Sequence, residues 1–210
     1  MAIFADRTHA GQELAAELIH LRGADAVVLG IARGGVVVAA EVARALQLPL
    51  GAAVVRKLGA PQHDEYALGA IADGVRIVDP VSLREAKVTP GQLAAVEQRE
   101  RDELARRTTS FELTRIDVRG RTAIVIDDGI ATGSTARAAC LAQRARGAAR
   151  IVLATPVAPD SWRPEPAEVD EYICPHREHD FWAVGQFYDD FTQTTDDEVM
   201  RLLAGGADGS

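Results

Sequence analysis

The sequence is poor in aromatic residues and cysteines, and it contains no long apolar run. Aromatic side chains make up 5% of the 210 residues and hydrophobic residues make up 47%, so an ordinary globular core must be built mainly from aliphatic side chains. The cysteines, Cys140 and Cys174, are too few for a disulfide framework and fit a reducing compartment. Charged residues stand near the N-terminus where a signal peptide is apolar, and no stretch has the roughly 18 apolar residues of a membrane helix. These features predict a cytoplasmic protein without a membrane partner.

The sequence also has no excess of basic residues. The chain has 23 Lys and Arg residues against 31 Asp and Glu residues, which gives a formal net charge of −8. Proteins that bind nucleic acids neutralise many phosphates with basic side chains, so this balance predicts no nucleic-acid partner. A small anion can still be held locally by a few backbone amides and cations. At about 150 residues per domain, the length favours a single domain.

Short apolar runs alternate with helical patterns along the chain. Buried strands are predicted at residues 26–31, 50–55, 67–72, 76–78, 122–127, 151–155 and 169–174. Helices are predicted at residues 8–22, 36–46, 80–110 and 136–146, the third of them rich in charges of both signs. Apolar strands that alternate with helices are typical of a parallel sheet that is covered on both faces. The fold class is therefore α/β, a Rossmann-like parallel sheet with helices on both faces.

The turn that follows the strand at residues 122–127 has the chemistry of a phosphate site. Its small or hydroxylated residues are Ala131, Thr132, Gly133, Ser134 and Thr135. At the start of a helix, their backbone N–H groups and hydroxyls can converge on a phosphomonoester. The carboxylates of Asp127 and Asp128 just before them suit two adjacent sugar hydroxyls or a hydrated metal. Phosphate and diol together describe a ribose 5-phosphate, although a polar turn with a helix cap would have a similar composition.

Two further segments carry groups that suit an anion. The turn at residues 30–35 follows a buried strand and opens a helix, so its glycines let backbone amides approach an anion and Arg33 adds a positive charge. Arg56 and Lys57 are predicted at the end of the strand at residues 50–55, where they are either solvated charges or anion ligands.

Residues 124–135, with the sequence IVIDDGIATGST, resemble the signature of the type I phosphoribosyltransferases, which binds the ribose 5-phosphate part of 5-phosphoribosyl 1-diphosphate (PRPP). The signature departs from the family at Gly129, where an aliphatic residue is usual. The turn at residues 30–35 looks like the pyrophosphate loop of the family, and residues 61–69 look like the mobile loop that covers the reaction. Residues 4–11, 56–61 and 183–188 extend the resemblance over nearly the whole chain, to a bacterial phosphoribosyltransferase-like branch that implies the donor and leaves the acceptor open.

The resemblance implies a phosphoribosyltransferase that uses PRPP and Mg²⁺, transfers ribose 5-phosphate to a nitrogen nucleophile and releases pyrophosphate. Its implied catalytic residues are Asp127, Asp128, Lys57 and Arg33. The implied ligands are Ala131, Thr132, Gly133, Ser134 and Thr135 for the 5-phosphate, Ala32, Arg33, Gly34 and Lys57 for the pyrophosphate, and Asp127 and Asp128 for the ribose hydroxyls and, through water, for Mg²⁺. One domain over residues 1–203 is expected, with a hood from about residues 160–192 and the N-terminal segment. A homodimer and a disordered tail at residues 204–210 are also expected.

Several alternatives stay open at this stage. A non-catalytic protein that binds PRPP or a nucleotide would use the same phosphate turn, whereas a dinucleotide-binding domain fits less well because residues 30–35 lack G-x-G-x-x-G. The strand near residues 151–155 is not followed by the lysine with which 6-oxopurine enzymes read the base, so purine salvage is only one option for the acceptor. Residues 174–180 offer either a polar loop or a weak zinc pattern. The aromatic residues of 181–191 suit base stacking, core packing or a subunit contact.

Overall fold

The computed structural model describes residues 2–61, 63–110 and 116–205. Its strands are β1 (Ala26–Ile31), β2 (Leu50–Ala53), β3 (Val55–Ala60), β4 (His63–Ala72), β5 (Val75–Val78), β6 (Thr122–Ile126), β7 (Arg150–Ala154), β8 (Val157–Pro159), β9 (Glu171–Ile173) and β10 (His176–Glu178). Its α-helices are α1 (Arg7–Glu17), α2 (Gly34–Leu46), α3 (Pro80–Glu85), α4 (Pro90–Ser110), α5 (Ser134–Ala145) and α6 (Asp196–Gly205), and short 3-10 helices cover Ile19–Leu21 and Val184–Phe187.

The central sheet has five strands in the order β2-β1-β6-β7-β9. Every neighbouring pair in it is parallel. The chain leaves β1 toward β2 on one side and later fills β6, β7 and β9 on the other side, so the strand order reverses between β1 and β6. In open α/β sheets, ligands bind outside the carboxyl ends of the strands at such a reversal. The predicted α/β class with a parallel sheet is confirmed.

Helices cover both faces of this sheet because successive side chains of each strand point to opposite sides. On β1, Val27 and Leu29 are buried in a cluster with α5, whereas Val28 is buried in a second cluster with α1, α2 and α6. The strands β6 and β7 divide their side chains in the same way. This alternation explains why the strands are apolar throughout, as the sequence predicted.

A second sheet, antiparallel and in the order β3-β4-β5, was not predicted. The predicted strand at residues 50–55 ends at Ala53, and a new strand begins at Val55. Arg56 and Lys57 therefore lie inside β3, and the prediction that they stand at a strand end was wrong. Residues 61–69, expected to form a covering loop, contain the first part of β4, while Gln62 lies outside the described residues.

Helix α5 lies between the two sheets. Its buried residues Ala136, Ala138, Ala139, Cys140 and Ala142 belong to the cluster that also contains side chains of β1, β6 and β7 from one sheet and of β3 and β4 from the other. Small side chains on both sides of the helix let the two sheets approach it closely. The phosphate candidate turn at its N-terminus is thereby fixed relative to both sheets.

The charged segment predicted as one helix forms α3 and α4, separated by residues 86–89. Glu100 of α4 is 7% exposed and accepts two hydrogen bonds from Arg56 of β3, at 2.9 Å from Nε and 2.7 Å from Nη2. This ion pair joins α4 to the antiparallel sheet. Within the described ranges, no helix is long and apolar enough to cross a membrane.

The ends of the chain differ from the prediction in detail. Asp6 caps α1 by accepting a hydrogen bond from the N–H of His9 at 2.8 Å. Helix α6 was not predicted, and Ala204 and Gly205 form its end. Residues 206–210, the rest of the expected tail, lie outside the described part of the chain.

We expect Glu100→Ala to lower the free energy of unfolding by about 1–3 kcal/mol, because it leaves the partly buried guanidinium of Arg56 without its carboxylate. Asp102→Ala is the matched control on the same helix. Asp102 is exposed and accepts a hydrogen bond from the exposed Gln98 at 2.9 Å, so its loss should cost less than about 1 kcal/mol. Chemical denaturation of the three proteins measures both values, and equal losses for the two variants would contradict the structural role of Arg56.

Candidate active site

The carboxyl ends of β1 and β6 place the two predicted turns side by side. Gly30 of β1 is in register with Ile126 of β6, so the turn at residues 32–35 and the turn at residues 127–133 leave the same edge of the sheet. A cis peptide bond joins Ala32 to Arg33. The geometry thus brings the candidate pyrophosphate turn against the acidic pair.

Gly34 and Gly35 make this contact possible. A Cβ atom on Gly34 would overlap with the carboxylate of Asp128, and a Cβ atom on Gly35 would lie 2.6 Å from the carbonyl oxygen of Ile126 and 3.1 Å from Cα of Asp127. Any side chain would force the two turns apart. The glycines predicted to admit an anion therefore also admit the backbone and carboxylate of the neighbouring turn.

The acidic pair is mostly buried. Only 15% of the Asp128 side chain is exposed, and Asp127 accepts a hydrogen bond from the N–H of Asp128 through Oδ1 at 3.0 Å. Burial raises the pKa of Asp127 well above its usual value, and the negative charge of Asp128 raises it further. Burial also raises the pKa of Asp128, an effect that the adjacent Arg7 opposes.

Arg7 is a site residue that sequence reasoning missed. Its Nε donates to Oδ2 of Asp128 at 2.7 Å and its Nη1 donates to the carbonyl oxygen of Thr192 at 2.8 Å. Its guanidinium carbon lies 3.9 Å from the centre of the Phe191 ring. Arg7 stands 121 positions before Asp128, so no local pattern could have indicated the contact.

The turn at residues 131–135 ends in the N-terminus of α5. Gly133 precedes the helix with a φ of +80°, in the left-handed region that favours glycine, and no side chain caps the first turn. Within the described ranges, the hydroxyls of Thr132, Ser134 and Thr135 have no hydrogen-bond partner. The first backbone N–H groups of a helix lack acceptors within it. This N-terminus therefore offers both amides and hydroxyls to an anion.

Trp162 covers one side of this turn and was also missed. Its indole N–H donates to the carbonyl oxygen of Thr132 at 3.2 Å, and its ring occupies the space that a Cβ atom on Gly133 would need. The ring of Tyr172 meets the indole edge to face at 5.3 Å. Trp162 thus supports the loop from outside the signature.

The glycine that departs from the family signature has a structural partner. A Cβ atom on Gly129 would overlap with the side chain of Val184, which comes from the 3-10 helix near the chain end. The space of the usual aliphatic residue is therefore filled by another segment. The backbone of the acidic turn is also held by Tyr188, whose hydroxyl donates to the carbonyl oxygen of Asp128 at 2.5 Å.

The remaining predicted cations lie on different elements or have different partners. Arg33 lies at the start of α2 and forms an ion pair of 3.8 Å with Asp196. Lys57 is opposite Ala70 in the antiparallel sheet, on the strand face that Val55 and Ala70 turn toward α5. Arg56 is bound to Glu100, so it is a structural residue rather than an anion ligand.

The two other candidate segments are mainly packed. Phe187 and Tyr188 are buried together with Phe4, which pairs with Tyr188 in an isolated bridge, whereas Trp182 is 91% exposed. The thiol of Cys174 donates to the carbonyl oxygen of His176 at 3.2 Å. Over residues 2–61, 63–110 and 116–205, no group of three or more His, Cys, Asp or Glu side chains could hold a metal ion.

Comparison with known proteins identifies the family. The phosphoribosyl transferase domain family matches residues 4–192. The chain therefore belongs to this family, as the signature at residues 124–135 predicted.

Relatives are known from bacteria. Two curated proteins of Mycobacterium tuberculosis, strains CDC 1551 and H37Rv, both named "Putative phosphoribosyl transferase", are 48% identical over 207 residues; the match covers 97% of this chain and 47% of theirs. The chain thus spans about half the length of these relatives. The crystal structure of TT1426 from Thermus thermophilus is 39% identical, with a TM-score of 0.74 and coverage of 98% and 99% of the two chains. A Neisseria gonorrhoeae protein with bound ppGpp, 13% identical with a TM-score of 0.52 and coverage of 98% and 97%, shares the fold alone.

We expect Gly129→Ala to lower the free energy of unfolding by about 1–3 kcal/mol, because the new methyl group overlaps with Val184 in a packed site. Val184→Ala added to Gly129→Ala should recover part of this loss, giving a coupling of about 0.5 kcal/mol or more. Gly91→Ala is the control, since nothing lies near its Cβ position and the change should be neutral or mildly stabilising. Denaturant titrations provide the values, and strictly additive losses at residues 129 and 184 would refute the contact.

Proposed function

We propose that the chain is a phosphoribosyltransferase that binds PRPP with Mg²⁺ and transfers its ribose 5-phosphate to a nitrogen nucleophile. Family membership supports the class of reaction. The observation that carries the proposal is the contact between the glycine turn at residues 34–35 and the pair Asp127–Asp128. This pair precedes the N-terminus of α5, which has no side-chain cap, by a few residues. Phosphate, diol and diphosphate subsites then follow one another along a single sheet edge.

In the proposed reaction, the loop at residues 131–135 binds the 5-phosphate and the acidic pair accepts hydrogen bonds from the ribose hydroxyls. The turn at residues 32–34 and Lys57 bind the diphosphate. The bond between C1 of the ribose and the diphosphate oxygen breaks, and its electron pair leaves with pyrophosphate. The acceptor nitrogen bonds to C1 and releases its proton to water. Positive charge that develops on the ribose ring lies near Asp127 and Asp128, which stabilise it electrostatically.

The acidic pair has the donor chemistry that Mg²⁺ requires. Mg²⁺ prefers oxygen ligands and is commonly held by one or two carboxylates together with substrate phosphates and water. Asp127 and Asp128 supply two adjacent carboxylates beside the candidate diphosphate turn, so they fit such an ion and would hold it through water. When bound, Mg²⁺ would neutralise charge on the diphosphate leaving group. Cytoplasmic location, a homodimer and a single domain with a hood stay predictions.

We expect Asp127→Asn combined with Asp128→Asn to weaken binding of Mg-PRPP by at least about 100-fold, because the negative charge of the acidic pair and its carboxylate acceptors for the ribose hydroxyls are lost. Asp102→Asn, on the exposed side of α4, is the control and should bind as the wild type does. Isothermal titration with PRPP, in the presence and absence of Mg²⁺, measures the change. Absence of binding by the wild type, or undiminished binding by the double variant, would overturn the ribose 5-phosphate assignment.

A second measurement separates the enzyme from a protein that only binds PRPP. Nucleobases and small amines are screened for release of pyrophosphate from PRPP, with the double variant as the blank. Release that depends on the acceptor supports transfer. Intact binding with no release for any acceptor class would favour the non-catalytic alternative.

A further inference from the structure

Arg7 is held in one orientation by three different groups. Its Nε binds Oδ2 of Asp128, its Nη1 binds the carbonyl oxygen of Thr192, and its flat face stacks on Phe191. The side chain is 11% exposed, so the ion pair is shielded from water and from salt. Two of these three partners belong to the segment at residues 191–192, and only the third belongs to the acidic turn.

Arg7 binds one of the two carboxylate oxygens of Asp128. Oδ2 is bound by Arg7, whereas Oδ1 has no hydrogen-bond partner in the part of the chain that the structure describes. The missing side chain of Gly34 makes room for this ion pair, because a Cβ atom there would overlap with Oδ2 of Asp128 and with Nε of Arg7. A mostly buried carboxylate with one bound and one unbound oxygen is oriented and can still accept a hydrogen bond from a ligand.

The acidic pair also needs a positively charged neighbour. Asp127 and Asp128 are adjacent and mostly buried, and two negative charges in such a place repel each other. Arg7 contacts the pair through Asp128, at 2.7 Å. Its positive charge compensates one of the two carboxylates before any ligand arrives.

We propose that Arg7 is a positioning residue of the PRPP site, which holds Asp128 so that its free oxygen Oδ1 faces a ribose hydroxyl. This inference rests on the proposed function and adds a residue from outside both sequence signatures. Arg7 does not touch the ligand; it acts through Asp128. A lysine cannot replace it fully, because one ammonium group cannot bind Asp128 and Thr192 in the same planar geometry while stacking on Phe191.

The experiment compares ligands that contain ribose with one that does not. Arg7→Met, Arg7→Lys and the surface control Arg44→Met are titrated with Mg-PRPP, ribose 5-phosphate and inorganic pyrophosphate with Mg²⁺. Arg44 is 70% exposed and pairs with Glu41 away from the site. Arg7→Met should bind both ribose ligands about 10- to 100-fold more weakly and pyrophosphate within about twofold of the wild type. The affinity of Arg7→Lys for the ribose ligands should lie between those of the wild type and Arg7→Met. Arg44→Met should bind all three ligands as the wild type does.

A double-mutant comparison tests whether Arg7 acts through Asp128. In the Asp128→Asn background, Arg7→Met should cause little further loss of ribose 5-phosphate binding, because the interaction is already gone. Full additivity would overturn the inference. Equal or tighter ribose binding by Arg7→Met would also overturn it, since Arg7 would then obstruct the site.

Two further outcomes have a clear meaning. An equal loss for all three ligands, together with a lowered melting temperature, would assign Arg7 a purely structural role and overturn the inference alone. If the wild type binds neither PRPP nor ribose 5-phosphate, both the proposed function and the inference about Arg7 are wrong. If the wild type binds both and Arg7→Met loses affinity only for the ribose ligands, both are supported.

Discussion

The packing of α5 between two sheets is the constraint on which the rest of the site depends. The helix can fit there because its buried positions are mostly alanine, so the two sheets contact it from opposite sides. Its N-terminus is then fixed beside the carboxyl ends of β1 and β6, with the amides of its first turn directed out of the sheet edge. An anion site made of backbone amides needs this rigidity, because amides that reorient on binding lose the advantage of preorganisation.

Two glycines and a few cations add to the candidate site that α5 positions. Gly34 and Gly35 bring the first turn into contact with Asp127 and Asp128, so the proposed diol acceptors and the proposed diphosphate amides stand side by side. The chain carries a net charge of −8, and the cations proposed for the diphosphate come from separate elements, Arg33 from the start of α2 and Lys57 from β3. Arg7 of α1 pairs with Asp128 instead.

The parts of this arrangement that follow from local pattern could be predicted. Residues 26–35 and 122–135 each combine an apolar strand, a glycine turn and a helix, and the parallel sheet follows from the repetition of that unit. The antiparallel sheet was missed because β3 has two adjacent charges, Arg56 and Lys57, in place of an apolar run. Contacts of Arg7 with Asp128, Val184 with Gly129 and Trp162 with Thr132 join residues far apart in sequence, so only the folded chain reveals them.

These long-range contacts share one structural consequence, which concerns the acidic turn. Val184 packs on Gly129, the Tyr188 hydroxyl binds the carbonyl of Asp128, and Phe191 and Thr192 hold Arg7. The segment at residues 184–192 thus touches the acidic turn at its backbone and its glycine, and it reaches the carboxylate of Asp128 through Arg7. Any shift of this segment therefore moves Arg7 and the turn at Asp128 with it. A substitution at Val184, Tyr188 or Phe191 changes the position of the acidic pair as well as its own surroundings, so the segment and the acidic turn form one packed unit.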